Sequence, residues 1–257
     1  MNKENMQDII IRSKIFFRDK IAANHLKNTE KLTRLSVFNV NPFTHKYLAQ
    51  FAFGDSSPES LAKALIYPRV LGTSIATTFG SQLQNYCNEV LSSYASVTAG
   101  MDIEFIDAED NRKKYCQIKA GPQTINKDDV KTIKDHFKAV LNLSRTNHLN
   151  LSFTDCVVGI LYGDDFSINQ FYKEINETYP VYVGAEFWYH LTGDRRFYYE
   201  LINAFSEVAL EMDSSATLQR VIKELAEDIS LQFPYPCSYL SFFQDNPLPI
   251  FITTLST

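Results

Sequence analysis

MDIEFIDAEDNRKKYCQIKAG, residues 101–121, alternates apolar and polar side chains on both sides of a charged centre. A two-residue alternation is the period of a half-buried strand. MDIEFI (101–106) and KYCQIKA (114–120) therefore read as two strands. DAEDNRK (107–113), rich in residues that tolerate tight backbone, reads as the hairpin turn between them. Directly after comes KDDVKTIKDHFKAVLNLS (127–144), an amphipathic helix with Asn126 as its natural cap. Asp128 and Asp129 sit in its first turn, where the helix dipole favours negative charge. DCVVGILYG (155–163) is continuously apolar, as a buried strand is, and PVYVG (180–184) is a shorter one. Strand, strand, helix, strand is the order of an α/β (α+β) core with a mixed central sheet flanked by helices.

Working outward, the remaining segments read mainly as helix. Helices are expected over 6–35, from Pro58 to just before Pro68, over 80–94 and 185–191, and over 195–212 and 214–233. NVNPF (39–43) reads as a turn, because proline disfavours helix at the residue before it. The expected organisation is an N-terminal helical region (1–80) belonging to the same domain, a core (81–185) and a C-terminal helical region (186–257).

Composition bounds the function. With 45% apolar and 21% charged residues the chain is an ordinary globular protein. No apolar run approaches the roughly 20 residues of a membrane span. The N-terminal run is interrupted by charges, unlike a signal or transit peptide. Cys87, Cys116, Cys156 and Cys237 lie far apart and read as reduced thiols. The expected location is the cytoplasm. The net charge of −5 hides a segregation. Residues 12–46 and 111–148 each carry a net +6, whereas residues 155–228 carry −9. A local field matters more to a polyanion than the total does. There is no GxxxxGK, GxGxxG or GxSxG, which leaves P-loop, dinucleotide and serine-hydrolase chemistry without support.

Lys119 raises the chemical question, because a lysine within a short apolar strand is costly unless its ammonium reaches water or a partner. On an alternating strand Gln117 and Lys119 share one face, and Cys116, Ile118 and Ala120 the other. Fourteen residues separate Gln117 from Asp102, which opens the preceding strand, and a hairpin of that length brings the three together. A carboxylate, an amide and an ammonium beside a basic helix suit a metal-dependent phosphodiesterase. The carboxylate holds Mg²⁺, the ion polarises a phosphate and activates water, and the ammonium orients that water. Asp107, with nine residues between it and Gln117, is a second acid at a workable spacing, but it sits where the strand enters the turn. Lys127, Lys131, Lys134 and Lys138 fall on one face of the following helix, a candidate phosphate stripe.

Asp102 followed by Gln117-Ile118-Lys119 resembles the PD-(D/E)XK nuclease signature in its QxK variant. NPF, YPRVLGTSIATTFG, the GP break at 121–122 and GAEFWYHLTGD make the resemblance more specific, to small type II restriction endonucleases, over roughly residues 39–205. The resemblance implies a restriction-endonuclease-like core with helical N- and C-terminal additions. It implies Asp102 as the principal metal ligand, Gln117 as a ligand through its amide oxygen, Ile118 as a ligand through its backbone carbonyl, and Lys119 positioning the attacking water. Glu89, on the helix before the first strand, is the candidate for a further acid, and it belongs to the expected catalytic and metal-binding set. The implied substrate is double-stranded DNA at a short palindromic site, cut with Mg²⁺ by a homodimer whose system includes a cognate methyltransferase. Rival readings are another nuclease of this superfamily (junction resolvase, repair or modification-dependent), a DNA-binding protein with a decayed nuclease core, and an α/β interaction protein. Arg69, Arg112 and Lys113 are available for base readout without any basis for choosing among them.

Overall fold

The computed structural model describes residues 3–91, 94–212 and 214–232. Cys237, Phe233 and residues 92–93 of the expected 80–94 helix lie outside the described residues. Four strands, β1 (Ile103–Ile106), β2 (Lys113–Lys119), β3 (Cys156–Ile160) and β4 (Val181–Val183), form one sheet in the order β1-β2-β3-β4. The helices are α1 (Lys3–Phe16), α2 (Ala23–Thr29), α3 (Pro42–Phe53), α4 (Pro58–Tyr67), α5 (Ile75–Ser81), α6 (Leu83–Glu89), α7 (Lys127–Thr146), α8 (Gln170–Asn176), α9 (Ala185–Thr192), α10 (Phe197–Glu211) and α11 (Ser214–Gln232). The described residues fall into two compact units, one within 1–23 and 77–212, the other within 24–76 and 213–257.

The first unit holds the sheet. β1 and β2 form the expected hairpin, antiparallel with Ile103 opposite Cys116 and Ile106 opposite Lys113. β2, β3 and β4 run parallel, which requires the crossovers that α7 and α8 supply. The sheet is therefore mixed, as the element order predicts. Burial on both faces makes every residue of β3 inaccessible, as its unbroken apolar run foretells.

α7 forms because its ends and face agree. Asn126 accepts from the N–H groups of Asp128 and Asp129, and the Asp129 carboxylate accepts from the Asn126 N–H, a complete capping box. Val130, Ile133, Phe137, Val140 and Leu141 recur at helical spacing and are buried. They meet Val158, Ile160, Val181 and Val183 from one face of the sheet, together with Tyr172 and Ile175 of α8. Burying a side chain such as Phe137 contributes about 2–3 kcal/mol. On the other face, Gly159 leaves room for the Phe187 ring of α9: a Cβ there would stand 2.3 Å from that ring. The neighbouring Trp188 donates its indole N–H to Leu161 O at 2.9 Å. α1 packs on α10, where Lys14 pairs with Glu207 and Glu211.

The second unit is helical. Leu61, Ala62 and Ile66 of α4 pack with Val221, Ile222, Leu225 and Ile229 of α11. Two proline readings change here. NVNPF is not a free turn: Asn41 caps α3, accepting from the Phe43 N–H, and Pro42 occupies the first helical position, where a missing N–H does no harm. Pro68 ends α4, but the chain does not leave the helix; it widens into a π-helical segment, Pro68–Ser74, that runs into α5. The wider turn accommodates the bond that proline cannot make. The helix expected over 80–94 is broken at Gln82, whose ψ near 1° departs from helical backbone: residues 80–81 end α5 and α6 starts at Leu83. α8 has no counterpart in the expected pattern. Among the described residues no helix is long and apolar enough to cross a membrane.

Candidate active site

The β1–β2 pairing extends one residue beyond β1. Asp102 N–H donates to Cys116 O at 2.9 Å, next to the Ile103–Cys116 pair. The same register sets Asp102 against Gln117, on the sheet face that carries α7. Asp102 Oδ2 then accepts from the Ile118 N–H at 2.7 Å, which seats the carboxylate on the backbone of β2. Lys119, two residues beyond Gln117 on the same face, is half-buried, and its ammonium is close enough to act on the Asp102 charge. Lys113 and Lys114 of the same strand are already engaged, with Glu104 at 2.6 Å and Asp110 at 2.5 Å. Gln117 is only 6% exposed. Its Nε2 donates to Gly100 O and, at 2.7 Å, to His136 Nδ1 on α7.

Burial raises the Asp102 carboxyl above its ordinary value; the Ile118 N–H and Lys119 oppose that rise without cancelling it. A carboxylate held in this way gains from a cation. The neighbouring thiols are not nucleophiles. Burial first, and the Asp102 charge second, push Cys87 up to about 12 and Cys116 well above its usual value.

The structure thus brings Asp102, Gln117, Ile118 and Lys119 together. It does not bring Glu89 to them. Glu89 ends α6 in an exposed position, where its backbone carbonyl accepts from Arg12 Nη1 at 3.3 Å. Cys87 is the α6 residue that feels Asp102, and a residue two further along a helix points to the opposite side. Asp107 is also elsewhere, at the hairpin end of β1. There it is buried, bonded to His190 Nδ1 at 2.7 Å and 3.7 Å from the Lys114 ammonium. A cleft of about 540 Å³ beside that network, lined by Glu109, Glu186, Tyr189, His190, Arg195 and Tyr199, contains none of the expected site residues.

Other expectations are narrowed. Lys134 is paired with Glu174 at 2.9 Å and Lys138 with Asp135 at 3.7 Å, so the α7 stripe is partly neutralised; Lys127 and Lys131 are exposed. Arg112 is bound to Asp155 through two nitrogens, and Lys113 is committed to Glu104. Neither is free for base readout, whereas Arg69 is exposed.

Sequence reasoning missed His136 and Gly100. His136 follows Ile133 by three residues and precedes Phe137, which places it at the edge of the buried face of α7. Gly100 has φ +80°, and a Cβ there would stand 2.7 Å from the His136 ring. A glycine two residues before the key aspartate was the available signal.

Among the described residues no group of three His, Cys, Asp or Glu comes together to hold a metal ion. Asp102 and Gln117 face each other across the β1–β2 register, and the pair offers two kinds of hard oxygen donor, a carboxylate and an amide oxygen. Mg²⁺ retains several waters and needs few protein oxygens, so this donor set suits it when a phosphate completes the shell.

A family model described as type II restriction endonuclease EcoO109I matches residues 12–213, about four-fifths of the chain. Comparison with curated proteins gives no match.

Proposed function

The chain belongs to the EcoO109I family of type II restriction endonucleases, and from that premise we propose that Asp102, Gln117 and Lys119 are its hydrolytic centre, a PD-(D/E)XK site of the QxK variant. Family membership makes the protein a DNA-cleaving hydrolase. The finer reading is a Mg²⁺-dependent enzyme acting on double-stranded DNA at a short palindromic site, as a homodimer, with a cognate methyltransferase protecting the host. The observation that supports it most is the desolvated Asp102 carboxylate, seated on β2 within the field of the Lys119 ammonium.

In this reading Asp102 holds the cation as a carboxylate, and Gln117 adds a neutral oxygen. The Ile118 N–H fixes the carboxylate, and the Ile118 carbonyl is the third expected donor. Glu89 is left out of the ligand set because its place on α6 is exposed and turned away. Mg²⁺, when bound, supplies Lewis acidity toward a phosphate oxygen. Lys119 orients the attacking water and offsets the negative charge that grows on the phosphate. The water oxygen forms the new P–O bond in line with the bond to the 3′ oxygen. That oxygen leaves with a proton, giving 5′-phosphate and 3′-hydroxyl ends.

Digestion of a sequenced plasmid panel with Mg²⁺, wild type beside Asp102→Ala and Lys119→Ala, tests this. Discrete, reproducible bands from wild type alone, with DNA binding kept in both variants, are the expected result. Full activity of Asp102→Ala would remove the assignment. A second reading, a DNA-binding protein with a decayed nuclease core, is favoured by the absence of a three-acid cluster among the described residues. Band shift without cleavage in both Mg²⁺ and Mn²⁺ would select it.

A further inference from the structure

Gln117 is a ligand with two unlike ends. An amide that turned its NH₂ toward a cation would repel it, so something must fix which end faces out. Gly100 O can only accept, and it takes one hydrogen of Gln117 Nε2. His136 Nδ1 takes the other at 2.7 Å, which satisfies the NH₂ group completely. The Oε1 end has no hydrogen bond to the protein among the described residues, which leaves it the end of the amide available to a ligand. The contact is tight on its other side as well. Gly100 adopts φ +80°, and any Cβ there would meet the His136 ring at 2.7 Å. Only glycine lets the carbonyl of residue 100 and the ring of residue 136 approach the same amide nitrogen.

We propose that Gly100 and His136 are a positioning pair that clasps the Gln117 amide nitrogen and so presents Gln117 Oε1, not its NH₂, to the divalent cation beside Asp102. This rests on the reading of Asp102, Gln117 and Lys119 as the hydrolytic centre. His136 acts through Gln117 and touches neither metal nor DNA in this role. The pair lets a neutral amide serve as a dependable oxygen donor. A carboxylate at residue 117, with oxygen at both ends, would not need it.

That last difference gives the test. Mn²⁺ is titrated calorimetrically into DNA-free protein, so the readout does not depend on cleavage. His136→Ala should weaken Mn²⁺ binding by about 10- to 100-fold, the usual effect of removing a group that orients a ligand. His136→Asn, whose amide oxygen can replace Nδ1 as an acceptor, should restore most of it. In the Gln117→Glu background His136→Ala should change Mn²⁺ affinity far less. In unmutated protein, both hydrogens of the Gln117 side-chain NH₂ should be protected from exchange, a measurement that needs no variant to fold. Equal losses in the two backgrounds, no loss in either, or a freely exchanging NH₂ would overturn the positioning role while leaving the hydrolytic centre intact. Undiminished Mn²⁺ binding by Asp102→Ala would instead show that the centre itself is misplaced, and the positioning role would fall with it.

Discussion

Asp102 pits stability against function in a single side chain. Its carboxyl is raised by burial, so the folded chain takes up that proton more readily than the unfolded one. The associated stability is complete below the ordinary aspartate value, about pH 4, and is lost as pH rises through the raised value. At neutral pH the ionised group therefore opposes folding. Asp102→Asn should melt at or above the wild-type temperature at pH 7 without metal, and the difference should vanish toward pH 4. Added Mg²⁺ or Ca²⁺ should raise the wild-type melting temperature and leave that of the variant unchanged, with chelation reversing the rise. A variant that melts clearly below wild type at pH 7 would contradict the account. Lys119→Ala is expected to lower cleavage by about 10²–10³-fold, as loss of a preorganised charge-stabilising group does. Because Lys119 also holds the Asp102 carboxyl down, the acid limb of any remaining activity should move to higher pH. An unmoved acid limb would mean that the two groups do not communicate.

At the level of elements, what was legible followed from local rules that tertiary packing did not override. The β1–β2 hairpin, the Asn126 cap and the buried β3 each have a local cause, in alternation, side-chain capping and a continuous apolar run respectively. Asn126→Ala should cost about 1 kcal/mol in denaturant unfolding, the usual value of an N-cap, and Asn126→Asp much less. Gly159→Ala should cost about 1–3 kcal/mol, because its Cβ would stand 2.3 Å from the Phe187 ring and force that ring to shift. An unchanged denaturation midpoint in either alanine variant would refute the packing described. What was not legible depends on partners distant in sequence. NPF carries the same proline whether it closes a turn or opens a helix, and Asn41 decides it by capping α3. α8 spans only Gln170–Asn176, too short for a periodic pattern to stand out. In the site, residues 102, 117 and 119 were readable because a hairpin of fixed length joins them. His136 joins through the crossover helix, and its neighbour Gly100 reveals its purpose only when the ring lies against it. Glu89 was chosen by its place along the chain, which says nothing of which side of α6 it occupies.

For the molecule as a whole, the question is how one such centre could cut two strands. The described residues hold one Asp102–Lys119 cluster per chain, and the proposed centre would hydrolyse one phosphodiester at a time. Cutting both strands of a two-fold site in a single encounter then calls for two chains related by the same symmetry. The mixing experiment follows from that arithmetic. Wild type and Asp102→Ala, unfolded together in equal amounts and refolded, should yield about half hybrid dimers if the protomers pair at random. Each hybrid holds one working centre, so supercoiled plasmid bearing the site should accumulate as nicked circles. Wild type alone should pass chiefly to linear DNA, and the variant alone should cut nothing. Chains acting singly would predict otherwise: dilution with the variant would slow linearisation without changing the proportion of nicked product. That proportion, followed against mixing ratio, therefore reports whether the site is completed by a second copy of the chain.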